Sequence, residues 1–236
     1  MGIVGWVGCV GIVGIVGIVG IVGIVGSVGD VRRVDDIKCE RVREVLIATT
    51  NPGKVREIRR ILDGVPVILK TLSDVPRVVA PDETGMSFAE NARQKAIYYA
   101  TATGMVAMAE DSGFEVDALG GEPGIYSARY LREDAGYSER FDDIYRRVRE
   151  IGTADLSARF VCALAVAERD QIVFEAAAAV EGELAPAPAG VNGFGYDPIF
   201  LYPPYGKTFG EVSDDEKTAV SHRGQAMRAF REYLLR

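Results

Sequence analysis

Beyond residue 40 the chain alternates between short apolar runs and segments of helical spacing. Val45-Leu46-Ile47-Ala48-Thr49 is apolar and bounded by charge, which predicts a buried first strand. Thr50-Asn51-Pro52-Gly53-Lys54 follows, and then Val55, Ile58, Ile61 and Leu62 recur at helical spacing. Asn51 suits the N-cap and Pro52 the first helical position. A second strand is predicted over 65–69, and Ser87-Phe88-Ala89-Glu90 is a capping box opening a helix to about residue 102. The run Met105-Val106-Ala107-Met108 reads as a buried strand that stops at Ala109-Glu110-Asp111-Ser112-Gly113 and delivers charge to the edge of a sheet. A short alternating strand, Phe114-Glu115-Val116-Asp117, comes next. An amphipathic helix spans 137–151, and two long strands, 159–168 and 171–183, flank Arg169-Asp170 as an antiparallel hairpin. Ser213 opens a second capping box with Glu216, and Ser221 caps the last helix. Strands and helices alternate first and a hairpin is added late, so the class is α/β with a mixed sheet.

Composition sets the first 40 residues apart. From Gly2 to Val31 the chain repeats Gly-x-Val ten times, mostly as Gly-Ile-Val. Proline is absent, which excludes collagen, and no strand-helix-strand unit surrounds the glycines to make a dinucleotide fingerprint. Residues 1–29 are uncharged and long enough to cross a bilayer. Their glycine and β-branched content makes a poor helix, and no basic segment precedes them as a signal peptide requires. They read as an appendage without catalytic role, disordered or aggregation-prone, with 1–40 outside the fold and 41–236 forming one domain. The net charge of -7 argues against general nucleic-acid or anionic-membrane binding. Cys9, Cys39 and Cys162 are odd in number and widely spaced, which fits a reducing compartment, the cytoplasm, without a disulfide framework.

Several stretches carry candidate chemistry. Glu110 and Asp111 stand side by side, and adjacent carboxylates repel unless a cation or proton sits between them. That reads as a magnesium site or general base, or as an ordinary Asp-Ser-Gly turn. Thr49, Thr50, Asn51 and Lys54 at a helix start read as a phosphate cradle, or as a capped helix with a solvated lysine. Glu90 reads as a metal-facing carboxylate, with Asn91 and Lys95 on the same helix, or as a capping residue. Gly193 and Gly195 around Phe194 can hold a ring flat against a planar ligand, or make a tight turn with a core aromatic. His222 and Arg223 occupy the positive end of the last helix, which suggests a bound anion or an electronegative ligand group there. Gly206-Lys207-Thr208 lacks the earlier glycine that a P-loop requires.

Six ordered segments together resemble the inosine triphosphate pyrophosphatase (Ham1-like) family. They are TTNPGK at 49–54 with Glu57, SFAENARQKA at 87–96, AEDSGFEVDALGG at 109–121, PGIYSARY at 123–130, GFGYDPIF at 193–200 and EKTAVSHRGQA at 216–226. The resemblance implies an elongated mixed sheet flanked by helices, two lobes with an active-site cleft between them, and a homodimer. It makes Thr49, Thr50, Asn51 and Lys54 the triphosphate-binding segment, Asp111 the proton acceptor, and Ser112 a substrate contact. Glu90 and Asp111 become the carboxylates associated with Mg²⁺. Phe194, Gly195, Tyr196 and Asp197 hold the base, and Lys217, His222 and Arg223 complete the pocket. Glu110 stands where many members have aspartate, and the glycine triplets have no counterpart. The implied reaction is Mg²⁺-dependent hydrolysis of ITP, dITP and XTP to the monophosphate and pyrophosphate. Donors on Arg223 or Lys217 suit a 6-oxo group, and an adenine amino group would leave two donors facing each other. Rival readings are a Maf-like pyrophosphatase for other modified or ordinary nucleotides, and a nucleotide-binding module without turnover.

Overall fold

The structure, a computed structural model, describes residues 43–132 and 134–236. The Gly-x-Val repeat and its boundary at residue 40 lie outside the described residues. Strand β1 (Arg43–Ile47) pairs in parallel with β2 (Val67–Thr71) and with β3 (Val106–Val116). The later strands, β4 (Ser157–Glu168), β5 (Gln171–Leu184), β6 (Phe200–Tyr202) and β7 (Lys207–Thr208), add antiparallel. The result is one mixed seven-stranded sheet in the order β2-β1-β3-β4-β5-β6-β7. The β4–β5 hairpin turns at Arg169, whose φ of 59° lies in the left-handed region. β6 and β7 are too short to show a period, so the sequence pattern did not reveal them.

Among the described residues five helices flank the sheet: α1 (Pro52–Ile61), α2 (Phe88–Thr103), α3 (Tyr137–Ile151), α4 (Asp214–Val220) and α5 (His222–Leu234). The starts of α1, α2, α4 and α5 follow from side-chain caps. Asn51 Oδ1 accepts the Gly53 and Lys54 N–H groups at 2.9 and 3.3 Å, and the Ser213 and Ser221 hydroxyls accept from Glu216 and Gly224. Each bond satisfies an orphan donor of the first turn. Among the described residues no helix is long and apolar enough to cross a membrane.

The stretch 109–113 departs from its expected place. β3 does not stop there; it runs through the pentapeptide and absorbs the strand expected at 114–117. The strand that ends is β1, whose last partner on β3 is Met108, with Ala48 N–H donating to the Met108 carbonyl at 2.8 Å. β4 continues along the other edge, from Ala109↔Ala165 to Gly113↔Val161. The chain therefore leaves the sheet into α1 while β3 carries on beside it. That is the carboxyl-end crevice at which open α/β sheets hold ligands.

Alternation along β3 sorts the side chains by face. Met108, Glu110, Ser112 and Phe114 share one face, and Ala107, Ala109 and Asp111 the other. On the first face the core divides into two clusters. Val45, Ile58, Met108, Leu164 and Phe230 pack beneath α1 and α5, while Phe114, Ile144, Phe160, Ile199 and Phe200 pack beneath α3. Glu110 and Ser112 fall in the break between them. On the other face α2 lies on the alanines of β3 and β4, whose small side chains let the helix approach closely.

Candidate active site

The break between the two clusters opens as two neighbouring recesses. The first, of about 510 Å³, is lined by Phe114, Phe160, Phe194, Tyr196, Lys217 and His222 among others. The second, of about 940 Å³, is lined by Thr49, Thr50, Glu83, Lys95, Glu110 and Asp111 among others. Asn51, Lys54 and Ser112 line both, so the recesses form one cleft with a mostly aromatic end and a mostly charged end.

Opposite faces give the two adjacent carboxylates different partners, and the expected repulsion between them does not arise. Asp111, on the α2 face, accepts from Asn91 Nδ2 at 3.1 Å and from Lys95 Nζ at 3.0 Å. Lys95 also donates to Glu83 at 2.7 Å, and Glu83 takes Arg129 at 2.9 Å. Glu110 points the other way and is buried. Arg223 donates to it from Nε at 2.8 Å and from Nη2 at 2.7 Å, and Lys54 Nζ lies 3.1 Å away. Burial alone would push the Glu110 carboxyl up, but Arg223 and then Lys54 outweigh it and hold it far below the usual carboxylate range.

The anion expected at the start of α5 is therefore the protein's own. Glu110 and Glu57 neutralise Arg223, and Glu110 is also the anion beside Lys54. Glu57 takes Arg223 Nη1 at 2.5 Å and Lys217 Nζ at 2.9 Å, tying α1 to α4 and α5. Lys217 donates further to Asp197 at 2.6 Å, and Asp197 Oδ2 accepts the Phe194 N–H at 2.6 Å, which closes the glycine-flanked loop. Donor counting shows what remains. Arg223 has five N–H groups and four are engaged, the last one by Ser112 Oγ at 3.0 Å. Lys217 has three and uses two. Among the described residues each keeps one donor unengaged, and both line the aromatic end of the cleft.

The aromatic positions have separate duties. Phe194 is half-buried, with Lys217 Nζ 4.6 Å and Arg223 Cζ 5.5 Å from its ring centroid. Gly53 makes room for it: a Cβ there would stand 2.6 Å from Phe194 Cδ1. Tyr196 is committed to the core, stacked on Phe114 at 5.2 Å with its hydroxyl donating to the Ser127 carbonyl at 2.9 Å. His222 stacks on Phe160 at 4.9 Å, and its Nδ1 is buried without a partner. Burial and then the neighbouring Arg223 push its pKa well below the ordinary value, so the ring is neutral rather than cationic.

Glu90 stands apart from the other expected site residues. Its carboxylate is exposed and accepts the Met86 N–H at 2.7 Å, while its own N–H is capped by Ser87 at 3.2 Å. The α2 residues that reach Asp111 are Asn91 and Lys95, one helical turn apart. Among the described residues, no three His, Cys, Asp or Glu side chains gather as a metal cage. Glu57 and Glu83 carry much of the network. Glu57 entered the sequence reading only as part of a motif, and Glu83 lay in a loop without periodicity, where no pattern flags a residue.

Fold and cleft together define a mixed α/β protein whose switch-point crevice can take an anion and a flat ring at once. Within that class, the chain belongs to the Ham1 family, whose model matches residues 45–233. It is 46% identical over 187 residues to the dITP/XTP pyrophosphatase of Gloeobacter violaceus, covering 79% of this chain and 92% of that protein. It is 47% identical over 189 residues to a dITP/XTP pyrophosphatase of Thermus thermophilus, covering 80% and 90%. A solved HAM1 protein from Coxiella burnetii superposes with a TM-score of 0.74 at 35% identity, covering 82% of this chain and 99% of that one.

Proposed function

We propose that the protein hydrolyses dITP, ITP and XTP to the nucleoside monophosphate and pyrophosphate. The observation that carries this reading is the single cleft with a charged end and an aromatic end, bridged by Asn51, Lys54 and Ser112. A triphosphate needs the first end and a purine the second. The names borne by the relatives support dITP and XTP among these substrates.

Asp111 orients and deprotonates the attacking water, a general-base role worth roughly 10²–10⁴-fold. Its bonds from Asn91 and Lys95 use two of about four lone-pair directions, and Asp111 lines the charged end of the cleft. Lys54, with the start of α1 behind it, stabilises charge on the departing pyrophosphate, and Thr49 and Thr50 lie along the phosphates. Phe194 stacks on the purine. The remaining donors of Arg223 and Lys217 meet a 6-oxo group and leave an adenine amino group unpaired.

Mg²⁺ binds through one or two carboxylates plus substrate phosphates and water, so the lack of a protein cage among the described residues is compatible with it. Asp111 would hold it, where it would neutralise phosphate charge and align the phosphates. Glu90 is the second carboxylate of this proposal, and a metal there competes with the Met86 N–H. The protein works in the cytoplasm as a homodimer.

The test is pyrophosphate release from dITP, ITP, XTP, dGTP and dATP, with and without Mg²⁺. We expect the oxo-purines without a 2-amino group to turn over fastest, and Asp111→Asn to lose at least about 10²-fold in kcat. Equal rates on dITP and dATP would refute the specificity, and an active Asp111→Asn would refute the base.

A further inference from the structure

We infer that Tyr137, the first residue of α3, is a second base-contacting ring of the cleft, held in place by Arg140. The inference rests on the purine-binding role proposed for the aromatic end. Tyr137 lines that end together with Phe194, Lys217 and His222. It stands out among the aromatic residues there: Phe114, Phe160 and Tyr196 are buried, whereas Tyr137 is 41% exposed. An aromatic ring left half-open on a binding cleft offers apolar area that a flat ligand can cover.

The ring is fixed in place. It meets Tyr196 edge-on at 5.3 Å and 89°, and Phe141 at 6.1 Å. Its hydroxyl borders the base loop, 3.6 Å from where a Cβ on Gly195 would stand. Arg140, one turn along, places its guanidinium 5.0 Å from the ring centroid.

Arg140 is itself unusual. It is 3% exposed, and no carboxylate pairs with it among the described residues. It donates instead to the carbonyls of Ser127 and Arg132 at 3.1 and 3.3 Å, and its Nε is buried without a partner. Burying a cation on carbonyl partners is costly. Here it holds three parts of one wall: the turn at Ser127 that also anchors Tyr196, the loop at Arg132, and the Tyr137 ring. α3 thereby joins the site, although the sequence pattern offered it only as an amphipathic helix.

The test compares wild type, Tyr137→Phe and Tyr137→Ala as full chains. Binding of deoxyinosine is measured by competition, tripolyphosphate is measured as a second competitor, and KM and kcat are taken on dITP. Base–aromatic stacking is worth about 1–3 kcal/mol by alanine substitution. For a half-exposed ring we expect the lower part of that range, a deoxyinosine affinity and a KM weakened roughly 5- to 30-fold in Tyr137→Ala. Tripolyphosphate inhibition and kcat stay within about twofold, and Tyr137→Phe restores the nucleoside affinity. Deoxyinosine binding within twofold of wild type in Tyr137→Ala overturns the inference. So does a parallel loss of tripolyphosphate binding, which marks general damage to the cleft. Deoxyinosine binding needs no hydrolysis, so a wild-type protein that fails to release pyrophosphate sinks the proposed reaction without touching this result.

Discussion

Glu110→Ala is the substitution whose outcome the structure constrains most tightly. Glu110 is buried and takes three contacts from Arg223 and one from Lys54. Arg223 is itself among the largest fully buried side chains. Removing one member of a buried ion pair leaves the other desolvated, at a cost of about 3–5 kcal/mol. Glu57 still holds Arg223 Nη1 and Ser112 still meets Nη2, which places the expected loss near the lower limit, about 3 kcal/mol. For a domain of this size 1 kcal/mol corresponds to about 2–4 °C, so Tm falls by roughly 6–12 °C. Urea unfolding at pH 7 measures the free energy, and a parallel Glu110→Asp variant tests whether charge rather than volume is at stake. The pH dependence is a second check. The Glu110 carboxyl is held below its unfolded value, so its contribution is complete above about pH 4.5 and is lost as the pH falls below that. Wild type loses this increment in acid and Glu110→Ala does not. A destabilisation under about 1 kcal/mol, or acid profiles that run parallel, would refute the reasoning.

Other outcomes follow from the same network. Gly53→Ala drives a methyl into the Phe194 ring, and the overpacking is expected as a loss of about 1–3 kcal/mol in urea unfolding together with a raised KM for dITP. Glu57→Gln removes the charge shared by Arg223 and Lys217 and should lower discrimination between dITP and dATP in a competition assay; unchanged ratios would show that Glu57 has no part in setting the donors. His222 is the chain's single histidine and is held neutral, with its pKa below the ordinary value. Its unfolded form takes a proton below about pH 6.5, so stability is complete above that pH and declines as the pH falls toward 5. His222→Gln should flatten that segment of the Tm–pH curve, read by differential scanning, while Asp197, shifted upward by burial, titrates in both proteins.

Local rules settled much of this molecule before any tertiary contact was known. Asn51-Pro52, Ser87, Ser213 and Ser221 mark helix starts because a cap needs only residues three positions away, and the hairpin at Arg169 follows from two long strand-forming runs on either side of it. The ordered segments from Thr49 to Ala226 pointed to the family on their own. Tertiary structure decided the partners. The apolar run at 105–108 and the alternation at 114–117 were legible as two strands, but their continuity was not: a polar pentapeptide inside a long strand resembles a strand end until β4 is seen pairing with all of it. Once the strand continues, Glu110 and Asp111 face opposite sides, and their shared cation disappears as a requirement. The cations at the starts of α1 and α5 announced an anion in the sequence. Only the fold showed that one carboxylate, Glu110, 56 positions from Lys54 and 113 from Arg223, supplies it to both, because a charge pair depends on distance in space and leaves no mark at fixed spacing. Asp111 keeps its expected place on the cleft, and its neighbours, Asn91 and Lys95 rather than Glu90, were chosen by the packing of α2 on the alanine face.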